Sequence, residues 1–327
     1  MKVVDMHCDT IGELLADHLK GGTMSILENP LHIDLKKMKK GDYLLQNFGL
    51  FVHLEKVKDP FAYAMKMVDT FYTELEAYPD QIGIVKTWED LEKNMAEGRM
   101  SAMLTLEEGG MCLGETALLR DFYRLGARMM TLTWNFQNQL GYPNRMELHE
   151  GESYPRFLPD TEHGLTEKGI EFVQEMERLG MIIDISHLND AGIWDVFRYT
   201  KKPFVASHSN ARAICPHPRN LTDEQLKIIG EMDGFVGLNF FPPFVAEKDA
   251  VTQDDLLRQL THMLDMAGED AVGLGSDFDG IDVTPTDLRA VEDMALFLER
   301  MEQEFGSHLA EKIREKNFLR VAERVWK

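Results

Sequence analysis

Five short stretches of this chain set imidazoles and carboxylates where they could meet. They are VVDMHCDT with His7 and Asp9, SAMLTLEEGG with Glu107 and Glu108, MIIDISH with His187, PFVASHS with His208, and AVGLGSDFDG with Asp277 and Asp279. In a strand, side chains two apart point the same way, so His7 and Asp9 share a face and could hold one small object. A divalent metal is the natural candidate. Each stretch also has a plainer reading, since a strand-end histidine is usually structural and an acid before glycine usually serves a turn. Taken together, the histidines and carboxylates are enough for two metal ions with a shared carboxylate. Imidazole with carboxylate suits Zn2+, with Mn2+ or Co2+ as substitutes. Cys8 alternates away from His7 and Asp9 and reads as core.

Something must bring these stretches together. Apolar, β-rich runs recur at 3–9, 46–54, 101–108, 127–135, 181–187, 203–209, 234–241 and 271–278. Their hydrophobicity is continuous, as expected of parallel strands covered on both faces by helices. Amphipathic stretches at 61–78, 166–180 and 254–268 lie between them. Gly180 and Gly268 stand where helix C-caps favour glycine, and Thr222 stands as an N-cap. Eight β–α units predict a (β/α)8 TIM-type barrel filling residues 1–327 as a single domain, with a doubly wound sheet as the other option. In such a barrel the strand ends converge on one mouth, which is where the polar residues fall. The stretch 136–164, rich in Pro, Gly and charge, follows the fourth run and reads as a long active-site loop.

Composition removes other classes. With 35 Lys and Arg against 56 Asp and Glu, the formal charge of −21 opposes nucleic acid or an anionic membrane as partner. No stretch approaches the roughly 18 apolar residues of a membrane span. The start MKVVDMHCDT lacks the apolar core of a signal peptide, and the three cysteines form no CxxC pair. These readings predict a cytoplasmic protein that is neither nucleic-acid-binding nor membrane-bound.

The pieces DMHCDT, LEEGG, TLTWN, IDISH, SHSNARAICPHPRN and VGLGSDFDG, in this order and through the final NFLRV, resemble the membrane (renal) dipeptidase family of metal-dependent hydrolases. The resemblance implies a zinc-dependent dipeptidase with two Zn2+ ions in a (β/α)8 barrel. By position, His7 and Asp9 would bind one zinc and His187 and His208 the other. Glu108, directly before Gly109-Gly110, would bridge them; Glu107 is the competing choice, but alternation sends its side chain the opposite way. Arg219 in HPRN would grip the substrate, and Asp277 would shuttle the proton. The resemblance further implies a metal-bridging hydroxide as nucleophile, acceptance of a C-terminal D-residue by some relatives, and a homodimer as the family's frequent assembly. One departure stands out: this chain reads Thr131-Leu132-Thr133-Trp134 where the family has histidine in fourth place. Trp134 has an N–H donor but cannot carry charge, so Asn135 or the 136–164 loop is the candidate replacement at the substrate.

Two rival readings remain at this level. Another metal-dependent amidohydrolase, acting on a lactam, lactone or cyclic amide, would usually carry a bridging lysine on the fourth strand, and ARMMTLTWN has none. A pseudoenzyme that binds metal without turnover is favoured only by Trp134.

Overall fold

The computed structural model describes residues 2–147 and 156–326. Eight parallel strands close into a ring: β1 (Val3–Cys8), β2 (Tyr43–Phe51), β3 (Met100–Glu107), β4 (Ala127–Thr131), β5 (Ile182–Asp184), β6 (Val205–Ala206), β7 (Phe235–Leu238) and β8 (Val272–Leu274). The ring closes because β2 pairs with β3 from Leu45–Ser101 to Phe51–Glu107, while β1 pairs with both β2 and β8. Each of the eight predicted apolar runs supplies one of these strands, and the fold is a single-domain (β/α)8 barrel.

Among the described residues, three short strands lie outside the eight runs. Ile82–Val85 pairs with the first half of β3, Met100 to Met103, leaving Leu104 to Glu107 for β4. Within the 136–164 stretch, Arg145–Glu147 and Arg156–Leu158 form an antiparallel pair. Residues 148–155 of that stretch lie outside the described residues. Helices form where capping and periodicity point to them. Thr166 caps Glu167–Leu179, which Gly180 ends at φ 82°. A Thr222–Gln225 capping box starts Asp223–Glu231, and Gln253–Ala267 stops at Gly268.

The core sorts by strand parity. Val4, Met103, Met129, Ile182, Val205 and Phe235 pack in one cluster with Phe318, Val321 and Val325 of the C-terminal helix Asn317–Val325. Their neighbours Val3, Ala102, Leu104, Met130, Ile183, Ala206 and Val236 belong to the larger cluster beneath the surrounding helices. The first set therefore faces the barrel interior, and the C-terminal helix plugs its lower end. The other end is left for the polar strand tips, as in barrels generally. Among the described residues, no helix is long and apolar enough to cross a membrane.

Candidate metal centre

Parity decides which acid of LEEGG enters the barrel. Met103 faces inward, so Thr105 and Glu107 do too, and Leu106 and Glu108 turn away. Glu107, rather than the Glu108 favoured from sequence, accordingly stands among the histidines. Its Oε2 lies 3.1 Å from His7 Nε2, and its Oε1 lies 3.1 Å from His187 Nε2 and 3.6 Å from His208 Nε2. Glu108 is an extra residue at the strand's end with φ 107°, a conformation that L-residues rarely adopt. That turn swings its carboxylate onto the backbone N–H groups of Gly110 and Trp134, at 2.7 and 2.8 Å, and onto the Asn138 amide.

His7 enters the same space from β1. Pairing with β2 slips between Asp5 and Cys8, so strict alternation fails there. Gly49 of β2 makes room for the imidazole, since a Cβ at that position would stand 2.7 Å from His7 Cε1. Asp9 follows, its Oδ2 3.3 Å from His7 Nε2. Asp277 Oδ1 is 3.8 Å from the same nitrogen, and Gly280 is bare because a Cβ there would meet Asp9 and Asp277 at 2.1 and 2.7 Å. Two triads that could each hold a metal ion result, His7–Asp9–Glu107 and Glu107–His187–His208, joined through Glu107; His7–His208–Asp277 is a third close group. Cys8 packs in the outer core, on the other side of the strand.

Supporting hydrogen bonds set the imidazoles. His187 Nδ1 donates to Asn135 Oδ1 at 3.0 Å. His208 Nδ1 donates to Ser207 Oγ at 2.7 Å, and that hydroxyl donates to Asp184 at 2.5 Å. Both rings are thereby left with Nε2 lone pairs turned inward, 3.0 Å apart. Burial, with positive charge from Arg219 and His7, holds His187 and His208 well below the usual imidazole range, so both are neutral. Burial opposes charge on His7, yet Glu107 and Asp9 raise it well above the ordinary value. Burial likewise raises the Glu107 carboxyl and pushes that of Asp277 up to about 6. Asp9 Oδ1 is buried without a hydrogen-bond partner. Neutral imidazoles with converging lone pairs, crowded buried acids and an orphaned carboxylate oxygen are costly in a protein interior, and a divalent cation reverses that cost. The donor set fits a metal.

The membrane dipeptidase family, peptidase family M19, matches residues 1–327. The chain belongs to that family. It is 33% identical over 312 residues, 89% of this chain and 72% of the other, to an uncharacterized dipeptidase of Schizosaccharomyces pombe. The solved dipeptidase AC, a family M19 metallopeptidase, is 30% identical at a TM-score of 0.88, with 100% of this chain and 99% of that one covered. A Rhodobacter sphaeroides metallopeptidase, solved with a phosphinate mimic of L-Ala-D-Ala, is 28% identical at the same TM-score and coverage. The chain is thus a metallodipeptidase of family M19.

The remaining predicted residues fall around this dipeptidase centre. Arg219 is buried; it donates to Ser209 Oγ at 2.9 Å and to the His208 carbonyl at 3.1 Å, while its Nε has no partner. No carboxylate within ion-pair distance neutralises it among the described residues, and burial lowers its pKa to about 10. Trp134 lies in an aromatic group, its ring centroid 4.7 Å from Phe51, 5.0 Å from Phe136, 5.7 Å from His187 and 5.8 Å from His53. Asn135, expected at the substrate, has its amide oxygen committed to His187. Asn135 and Phe136 also line an open cleft of about 630 Å³ with Leu54, Tyr142 and Arg145. Asp279 turns away, accepting from Thr10 Oγ1 and the His32 backbone at 2.6 Å each.

Sequence reasoning missed the residues that hold the ligands. Asn239 donates to Asp277 Oδ2 at 2.9 Å. Asp5 accepts from Ser276 Oγ at 2.6 Å and Asp184 accepts from Ser207 Oγ, and each serine directly precedes a site residue. The visible signal was an acid two or three positions before a histidine, in D-M-H and D-I-S-H.

Proposed function

We propose that this metallodipeptidase uses two Zn2+ ions, one on His7, Asp9 and Glu107 and one on Glu107, His187 and His208, to hydrolyse dipeptides with a free C-terminal carboxylate, including those ending in a D-residue. The observation that carries the reading is the split of Glu107, whose two oxygens reach imidazoles of different triads. Bound there, the ions supply Lewis acidity toward the scissile carbonyl and acidify the attacking water. Arg219 binds the substrate carboxylate; as a buried guanidinium with an unused Nε–H, it gains a charge partner and a hydrogen bond together. Asp277 takes the proton of the attacking water at Oδ1 and returns it to the leaving amine, while Asn239 holds its Oδ2. A carboxyl raised to about 6 exchanges protons easily near neutrality. Support for D-residue acceptance comes from the Rhodobacter sphaeroides relative, whose ligand mimics L-Ala-D-Ala.

The test is purified protein assayed for metal content and for cleavage of L-Xaa-L-Xaa and L-Xaa-D-Xaa dipeptides, before and after chelation. Two zinc ions per chain, with cleavage lost on chelation and regained with Zn2+, is the expected result. Two ions with no dipeptide cleaved would reject the substrate and turn attention to lactams and lactones. A single ion, or activity insensitive to chelation, would reject the binuclear reading.

A further inference from the structure

Glu108 is buried, belongs to none of the groups that could hold a metal among the described residues, and holds a backbone conformation that an L-residue seldom takes. We propose that it is a positioning residue that clamps the segment Trp134 to Asn138 over the metal centre and, through Asn135, fixes His187. Its consequences for turnover rest on the dipeptidase reading above; the clamp itself does not.

The geometry is specific. Oε1 of Glu108 accepts from Gly110 N at 2.7 Å and from the Asn138 amide, and Oε2 accepts from Trp134 N at 2.8 Å. Asn138 completes the fold of the segment: it donates to the Leu132 carbonyl at 2.9 Å and accepts from Leu140 N at 2.7 Å. One carboxylate thus ties the end of β3 to both ends of the mouth segment. Between those ends lies Asn135, the residue that accepts from His187 Nδ1. Among the described residues, no lysine, arginine or histidine pairs with Glu108. Only N–H donors satisfy it, so the carboxylate is stable only while the segment is in place, and the segment is held by the carboxylate. Residues that orient ligands from behind typically affect metal affinity by about 10–100-fold.

Glu108→Gln separates the clamp from the turn. With its oxygen at the Oε1 position, glutamine keeps Gly110 and Asn138 but opposes its NH2 to the Trp134 N–H. The substitution should therefore release Trp134 and Asn135 while leaving the β3 turn intact. Two measurements on the holoenzyme test this. Hydrogen exchange should rise in the peptide spanning 133–139 and stay unchanged in the other strand tips. Release of metal to a chelator should quicken about tenfold for one ion only, and Asn135→Ala should give the same change without adding to it. Unchanged exchange at 133–139, equal acceleration of both ions, or additive effects of the two substitutions would each overturn the proposal. If the glutamine variant does not fold, Asn138→Ala loosens the same clamp from the segment side and must reproduce the one-ion effect. A wild-type enzyme that binds fewer than two ions or cleaves no dipeptide refutes the proposed function, whereas the exchange measurement still decides the role of Glu108.

Discussion

Gly49→Ala is the sharpest test of the metal centre's geometry, because it alters neither a ligand nor a charge. The added Cβ would stand 2.7 Å from His7 Cε1 and 3.2 Å from the Cys8 carbonyl oxygen. Ordinary contact begins near 3.4 Å, so the imidazole must retreat by about 0.7 Å. It has little room, because its ring is stacked on His208 with centroids 4.1 Å apart and its Nε2 is 3.1 Å from Glu107. Overpacking of this kind costs about 1–3 kcal/mol, and misplacing a reacting group by about 1 Å can cost about 100-fold in rate. The expected result is a melting temperature lower by several degrees, kcat/KM down by about two orders of magnitude, and weaker metal retention. Gly12→Ala is the matched control: nothing lies within 4 Å of its added Cβ, and it falls inside the helix Thr10–Leu19, so it should stabilise by about 0.5–1 kcal/mol. Both variants would be measured by thermal melting, metal analysis and dipeptide turnover. Wild-type turnover and metal content in Gly49→Ala would refute the placement of His7 beside β2.

Glu107→Gln should lower metal affinity and turnover by more than about 100-fold, exceeding the 10–100-fold expected for supporting residues such as Glu108; metal analysis of the two variants side by side reads the order directly. Arg219→Lys keeps the charge but loses the planar fork, so KM for dipeptides should rise about tenfold, the worth of one charge-assisted hydrogen bond, while dipeptide amides are unaffected. On the outer surface, hydrogen bonds from Arg178 and Arg120 hold the Glu175 carboxyl down at about 2. A depressed carboxylate contributes stability above its unfolded value and loses it as pH falls through the folded one. Glu175→Gln should therefore destabilise at pH 7 by about 0.5–1 kcal/mol, discounted because the Arg178 side chain is 62% exposed, and the gap should close between about pH 5 and pH 2 in denaturant titrations.

The barrel was legible because eight continuous apolar runs admit few other arrangements, and chemistry at their polar ends follows from strand direction alone. His7, Asp9, His187, His208 and Asp277, which the structure gathers at one mouth, stood out in the sequence because histidines and acids contrast with apolar strands. Glu107 was misjudged for a physical reason. Alternation separates it from Glu108, but choosing between them requires a parity anchor, and Met103 becomes one only when its cluster with the C-terminal helix is known. The match of Glu108 to the residue before Gly109-Gly110 hid the extra residue that the positive φ now reveals. Asn135 was placed at the substrate because the sequence carries no sign that its oxygen is taken by a histidine 52 positions away.

The same device appears on opposite sides of the ring. On β1, Asp5 Oδ1 accepts from the backbone of His7 and of Ser276, and Oδ2 accepts from the Ser276 and Tyr43 hydroxyls. On β5, four strands away, Asp184 Oδ1 accepts from the backbone of Ser186 and of Ser207, and Oδ2 accepts from the Ser207 and Thr131 hydroxyls. Each aspartate therefore pins its own strand tip and the tip of a neighbour at the point where that neighbour's next residue, Asp277 or His208, enters the site. Strain collects just beyond these pins: His187, Asp277 and Asp279 all have positive φ without being glycine. Such conformations persist only when the surroundings over-determine them. Two buried aspartates with filled hydrogen-bond shells supply that constraint, which explains how strands of two and three residues can hold chemically demanding side chains in fixed positions.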